Sequence, residues 1–490
     1  MRHLILTVIG LLFFLTTTAQ QQAIRQGCRR GTVPAQTVQH RAGRMAPHRT
    51  ASAYTGQCRQ LTVLAAFNDR SFAKDEQQTL ATWERIFNAK GLNVSPFKGS
   101  IHDYFYDQSY GLFDLTFDLE YVSLAANHNK YGSTASHDEN SQYLVDDVVD
   151  SLLTRHIDWS RYDWDGDGYI DQLLIVYAGK GSSYGGFGGD ADAIWPHQWW
   201  LSYHLDLITS NAQDFRGPRT VSYAGQTYTV DKYCAVQELD SQGDYGTFGT
   251  ICHEYSHCFG FPDFYGSASV VKDWDLMDNG NYNGYGYCPA GYSAHERMLM
   301  GWLQPTVLSE PEVITALPAL ADEPKAYMVV NDSHESEYYI LENRQPKGWD
   351  TGLPGSGILI FHIDYDPELW ASADEYVNTA TRKHYTLFHA NNNSSTAISS
   401  MKNWAYPYQD NNALTIWSTP PSIMWNGPSV IDKPITNMTI SNGLASFEFC
   451  TVPQAIDDLL LHDRQEKVVY RCGPVTFIRT ADGKVRKIIK

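Results

Sequence analysis

The stretch GTICHEYSHCFGFPDFYG, beginning at Gly249, restricts the fold more than any other part of the chain. It places histidines at 253 and 257, a glutamate at 254, a glycine at 260 and an aspartate at 263. Helical residues four apart differ by about 40° in rotation and share a face. The spacing therefore predicts a short helix, ended by Gly260, that turns His253 and His257 toward one point. Two neutral imidazoles suit Zn2+. A catalytic zinc takes three protein ligands and a water, whose pKa falls toward ~7 on the metal. Glu254 is placed to take the water's proton and pass it to a leaving amine. The third ligand must come from beyond the helix. Gly260 permits a sharp turn through φ > 0, which brings the Asp263 carboxylate back under the metal.

HExxH alone recurs by chance in unrelated helices; extended to HExxHxxGxxD it is far more restrictive. Downstream, DWDLMDNGNYNG, which resembles the methionine turn of metzincin peptidases, carries Met277, which that resemblance makes an apolar floor for such a site, and Tyr282, a candidate hydroxyl donor for a tetrahedral oxyanion. Read alone, Met277 would be plain core packing.

A second acidic constellation lies in DWDGDGYID. Asp163, Asp165, Asp167 and Asp171, with the Tyr169 carbonyl, match the first nine positions of a Ca2+ loop. Four acids so close repel one another unless a cation compensates. Position twelve is Leu174 instead of the glutamate of an EF-hand, and the flanking segment reads as a strand. The expectation is a calcium-binding loop that enters a β-strand and has a structural role; the bland alternative is an acidic turn without metal.

The rest of the chain frames these motifs. Its 490 residues are enough for two or more cores, and a formal charge of −18 argues against a nucleic-acid partner. Residues 1–19 read as a signal peptide, with Arg2 and His3 ahead of an apolar run from Leu4 to Leu15. That run is too short to span a bilayer and no later stretch reaches ~20 apolar residues, so no transmembrane segment is expected. Residues 20–58 read as a pro-segment or linker. Eight arginines and no acid precede Asp69, which makes a basic leader ahead of an acidic body.

Eight cysteines follow the signal. Cys28 with Cys58, and Cys450 with Cys472, are partners by position only. Cys252 and Cys258 fall on different helix faces and read as small buried apolar groups. Cys28 is also a weak candidate for an inhibitory zinc thiolate; a disulfide or a surface thiol is the plainer reading.

Between residues 59 and 305, strands alternate with helices. LTVLAAFND, the C-terminal part of SIHDYFYDQSYGLFDLTFDLEYV, and DQLLIVYAG read as strands; EQQTLATWERIFNAKG, with Gly91 as C-cap, and SQYLVDDVVDSLLTRHI read as helices. IWPHQWW (Ile194–Trp200) is either core or a cleft wall with His197 near substrate. From 306 to 452, short strands between Pro, Gly and Asn turns predict a β-rich domain. Residues 453–490 form a tail whose last part is a candidate sorting hairpin turning at ADGK.

HEYSHCFGFPDFY, WDLMDNGNYN, GYSAHERMLMGWL, YDWDGDGYIDQLLIVYAG, IWPHQW, SIHDYFYDQSYG and EYYILENRQ…GWDTGLPGSGILIFHIDY together resemble the immune inhibitor A family of secreted bacterial metallopeptidases, across most of residues 60–370. The resemblance implies an α+β fold: a metzincin-like zinc peptidase domain, with a mixed twisted sheet and an active-site helix, followed by a β-sandwich-like domain. It implies a zinc metalloendopeptidase with His253, His257 and Asp263 as ligands, Glu254 as catalytic base and Met277 in a methionine turn. Glu296, in AHERMLMGW, is the competing third ligand. Protein or peptide substrates, a monomeric state and secretion, with the protein released or held on the cell surface, follow as expectations. Two rivals stay open: a zinc amidase of cell-wall peptides, and a calcium-stabilised surface-binding protein with a vestigial site.

Overall fold

A computed structural model describes residues 54–132, 140–183, 190–203, 215–266, 270–372 and 375–451, and three strands between 467 and 489. The chain divides into two compact units. The first comprises the described residues up to Leu303 together with Pro346–Leu353 and the described residues of Asp366–Lys383. Two segments that follow the first strands of the β-rich region in sequence thus fold with the peptidase motif.

The first unit is built on strands β1 (Gly56–Ala66), β2 (Phe113–Ser123), β3 (Leu173–Lys180) and β4 (His197–Trp200), a hairpin of β5 (Arg219–Tyr223) and β6 (Gln226–Val230), and β7 (Lys232–Leu239). Five of them form a sheet in the order β2-β1-β3-β7-β4. The first three pairings are parallel and β4 is antiparallel to β7. Composition explains the order. LLIVYA in β3 and YCAVQE in β7 are buried throughout, as central parallel strands must be. FDLTFDLEYVS in β2 alternates along its first half, as befits an edge strand.

Helices cover the sheet. Ser141–Leu153 buries Leu144, Val145, Val148, Val149 and Leu152 in the same core as Leu61, Val63, Leu173 and Ile175. Glu76–Asn88 starts where Asp75 caps Gln78. It ends at Ala89, and Gly91 takes its positive φ of 67° in the turn beyond, so the cap lies two residues before the expected glycine. Ile101–Gln108 opens with a reciprocal capping box between Ser100 and Asp103.

His197 lies within the core and does not line a cleft. Its Nδ1–H donates to the Trp195 carbonyl at 2.6 Å, and its Nε2 is 3.0 Å from the Tyr233 hydroxyl. Burial pushes its pKa down to about 4, so the ring is neutral.

The second unit holds β8 (Thr306–Val307), β9 (Glu312–Leu317), β10 (Tyr327–Val330), β11 (Glu337–Arg344), β12 (Gly357–Asp364), β13 (Tyr385–Leu387), β14 (Ile435–Ser441) and β15 (Leu444–Phe449). They form one sheet in the order β13-β12-β11-β10-β8 and another in the order β14-β15-β9. Tyr339, Leu341, Ile358 and Ile360 of the first share one apolar core with Ile314, Ile435, Ala445 and Phe447 of the second. Tyr327 meets Phe447 edge-on at 5.5 Å between centroids.

In the tail, β16 (Lys467–Cys472), β17 (Val475–Arg479) and β18 (Val485–Ile489) pair antiparallel. The ADGK turn lies outside the described residues, as do residues 1–53, and with them the signal peptide, the basic leader and Cys28. The side chain of Cys472 also lies outside them. Cys252 and Cys258 are both buried. Among the described residues, no helix is long and apolar enough to cross a membrane.

Candidate metal centre

The motif helix spans Phe248–Ser256 and continues as a tight 3-10 turn over His257–Phe259. Gly260 ends it with φ of 90°, the left-handed geometry its position demands. Its N-terminal part packs closely on the turn after Met277: a Cβ on Gly249 would lie 1.9 Å from the Asn281 carbonyl oxygen. Any side chain there would push the helix off its floor.

Beyond Gly260 the chain doubles back and carries Asp263 to the imidazoles. Asp263 Oδ1 lies 3.1 Å from His253 Nε2 and 3.3 Å from His257 Nε2. Donor atoms of all three residues fall within 4.8 Å of one another, and all three residues are buried. Glu254 is also buried, with Oε2 3.9 Å from His257 Nε2.

The outer hydrogen bonds decide how the imidazoles face. His253 Nδ1–H donates to the Leu276 carbonyl at 2.8 Å, and His257 Nδ1–H donates to the Phe261 carbonyl at 2.6 Å. These bonds hold a proton on each Nδ1, so both Nε2 atoms face inward and present lone pairs once the rings are neutral, as metal ligation requires. Outer acceptors of this kind orient metal-ligating histidines. Asp263 Oδ2 is buried with no hydrogen-bond partner among the described residues. Burial opposes charge on His253, but the Asp263 contact and the Glu254 carboxylate push its pKa up to about 9. Burial likewise opposes ionisation of Asp263, yet the adjacent His257 and His253 hold it well below the usual carboxylate range. Convergent lone pairs in a buried, electronegative pocket fit a divalent cation, and an N2O donor set suits zinc.

Met277 is wholly buried, directly after the residue whose carbonyl receives His253. Its amide donates to Asp275 Oδ1 at 2.8 Å, and its carbonyl accepts from Phe264 N at 2.8 Å. The turn thus touches both the helix histidine and the loop bearing Asp263. Tyr282 is buried in the 3-10 turn Gly280–Gly286 that follows.

Glu296 has a different neighbourhood. Ser293 N donates to its Oε2 at 2.7 Å, and its own amide donates to Ser293 Oγ at 3.3 Å, closing a capping box on the helix Ala294–Leu299. The structure groups Asp263, and not Glu296, with the two histidines.

Sequence reasoning overlooked three groups here. The Tyr265 ring stacks on His253, with centroids 6.2 Å apart and planes 14° apart; its only signal was an aromatic two positions after the aspartate. The Leu276 and Phe261 carbonyls could not be foreseen, because backbone acceptors carry no residue signature.

The acidic loop is assembled in part. Carboxylate oxygens of Asp163, Asp165 and Asp171 come within 4.8 Å of one another. Asp163 Oδ1 accepts from Gly166 N at 2.9 Å and Asp167 N at 3.1 Å, and its Oδ2 accepts from Gly168 N at 3.0 Å. Asp167 is not in the triplet; its Oδ1 caps Tyr169 N at 2.8 Å. The loop runs straight into β3, where Leu174 is buried. A third cluster, of His128, Asp190 and Asp192, is crossed by Arg70, which pairs with Asp190 and sits 2.9 Å from His128 Nε2.

Residues 66–304 match the family described as immune inhibitor A peptidase M6, catalytic domain. The chain is 29% identical over 187 residues to the pre-pro-metalloprotease PrtV of Vibrio cholerae, covering 34% of this chain and 19% of that protein. It is 25% identical over 237 residues to immune inhibitor A of Bacillus thuringiensis, covering 42% of this chain and 32% of that one. The chain thus spans about a fifth and about a third of these relatives' lengths. The matched segment contains the imidazole–carboxylate cluster, the turn carrying Met277 and the acidic loop, and over it the chain is similar to the catalytic domain of the immune inhibitor A peptidase family M6.

Proposed function

We propose that this chain is a secreted zinc-dependent metalloendopeptidase that cleaves protein or peptide substrates. One observation carries the reading: His253 Nε2, His257 Nε2 and an Asp263 carboxylate oxygen converge within 4.8 Å in a matched peptidase domain, with the Glu254 carboxylate beside them. His253, His257 and Asp263 hold the ion, and the Leu276 and Phe261 carbonyls keep the rings turned inward. Bound zinc would supply Lewis acidity, polarising the scissile carbonyl and acidifying the attacking water. Glu254 removes the water's proton and returns it to the leaving amine. The Tyr282 hydroxyl is assigned to the developing oxyanion. The mixed sheet with its motif helix favours a metzincin-like catalytic domain. The two sheets around one core favour a β-sandwich-like second domain.

The test is casein hydrolysis by the purified protein. Activity should vanish on dialysis against a strong chelator and return with about one equivalent of zinc. Hydrolysis that survives complete zinc removal would refute the reading.

The Asp163–Asp171 loop is assigned to calcium, on the strength of three convergent carboxylates fixed at the entry to β3. Hard oxygen donors suit calcium, not zinc. Calcium should raise the melting temperature of the wild type by several degrees and leave Asp163→Ala unmoved; equal shifts in both would place the ion elsewhere.

A further inference from the structure

The loop that carries Asp263 is held by a residue outside the matched domain. Phe264, next to Asp263, is wholly buried, and both of its backbone polar groups are gripped. Its amide donates to the Met277 carbonyl at 2.8 Å. Its carbonyl accepts from Asn378 Nδ2, also at 2.8 Å. Asn378 is itself fully buried, and the segment Asp366–Lys383 around it folds within the first unit. The Phe264 ring packs against Trp370 of the same segment, 6.3 Å between centroids. At Gly266 the two strands of chain run so close that a Cβ would lie 2.7 Å from the Asn378 carbonyl oxygen and 3.0 Å from Tyr376 Cβ.

These contacts fix the backbone one residue from the carboxylate that faces both imidazoles. A buried carbonyl that loses a donor held at 2.8 Å is left under-satisfied, which favours a shift of the loop that carries it. We infer that Asn378 is a positioning residue for the metal centre: it clamps the Phe264 carbonyl and so sets the Asp263 carboxylate against His253 and His257. The inference rests on the reading of Asp263 as a ligand. It adds that the centre is completed by a stretch of chain some 75 residues beyond the end of the matched domain at 304.

The experiment measures zinc affinity of the full chain by chelator competition, alongside thermal unfolding of the metal-free protein. Asn378→Ala should weaken zinc binding by about 10-fold or more, in the range seen when outer-shell partners of metal ligands are removed. Gly266→Ala keeps Asn378 but wedges its segment away, and should weaken zinc in the same direction. Asp263→Ala should weaken it further than either. A purely structural role for Asn378 would lower the metal-free melting temperature and leave the zinc affinity of the folded protein unchanged. Wild-type affinity in Asn378→Ala, or in Gly266→Ala should the first variant not fold, overturns the inference while weak binding by Asp263→Ala keeps the ligand assignment. Wild-type affinity in Asp263→Ala overturns the ligand assignment itself, and the positioning role with it.

Discussion

Glu254→Gln should keep its zinc and its fold and lose at least about 100-fold in kcat, since a positioned general base contributes roughly 10²–10⁴. The substitution is nearly isosteric and removes only the ability to take a proton. Glu254 is buried one residue after His253, and its carboxylate approaches His257 Nε2 to 3.9 Å. That places it beside the cluster without making it a member of the three-residue group. The measurement pairs casein turnover with zinc content. Loss of both together would make Glu254 a ligand instead of a base. Unchanged turnover would remove it from the reaction altogether.

The second large effect separates the two carboxylates that compete for the third ligand position. Asp263→Asn should weaken zinc by more than the roughly 100-fold that loss of an outer-shell partner costs, and hydrolysis should fall with it. Glu296→Gln should leave zinc affinity and kcat/KM within about threefold of wild type. The reason is local: the Glu296 carboxylate accepts from Ser293 N in a capping box, and glutamine serves that position as well as glutamate does. The opposite ranking, with Glu296→Gln losing zinc, would mean that the capping box opens and its carboxylate swings to the metal.

Much of this site was legible in the sequence, for a physical reason. A helix fixes the relation between residues 253 and 257 through its period, and a glycine at 260 announces the left-handed turn observed there. The central strands were legible because burial on both faces leaves continuous apolar runs, as in LLIVYA. Contacts distant in sequence were not. The role of Leu276 belongs to a carbonyl, which every residue has. No local signal in the sequence marks Asn378, and only the fold carries it to Phe264. The hairpin Arg219–Tyr223 with Gln226–Val230 was missed because its strands are short and half exposed. His197 had a catalytic residue type, but its burial and its bond to the Trp195 carbonyl make it a core group.

The return of Pro346–Leu353 and Asp366–Lys383 to the first unit has a consequence in time. A polypeptide is made from its N-terminus, so residues up to 304 emerge well before Asn378 does. Until then the loop beyond Gly260 lacks its Asn378 contact, and the first unit is unfinished. Such interlacing sets, by chain order alone, an interval in which the first unit is under construction and the proposed metal centre lacks its clamp.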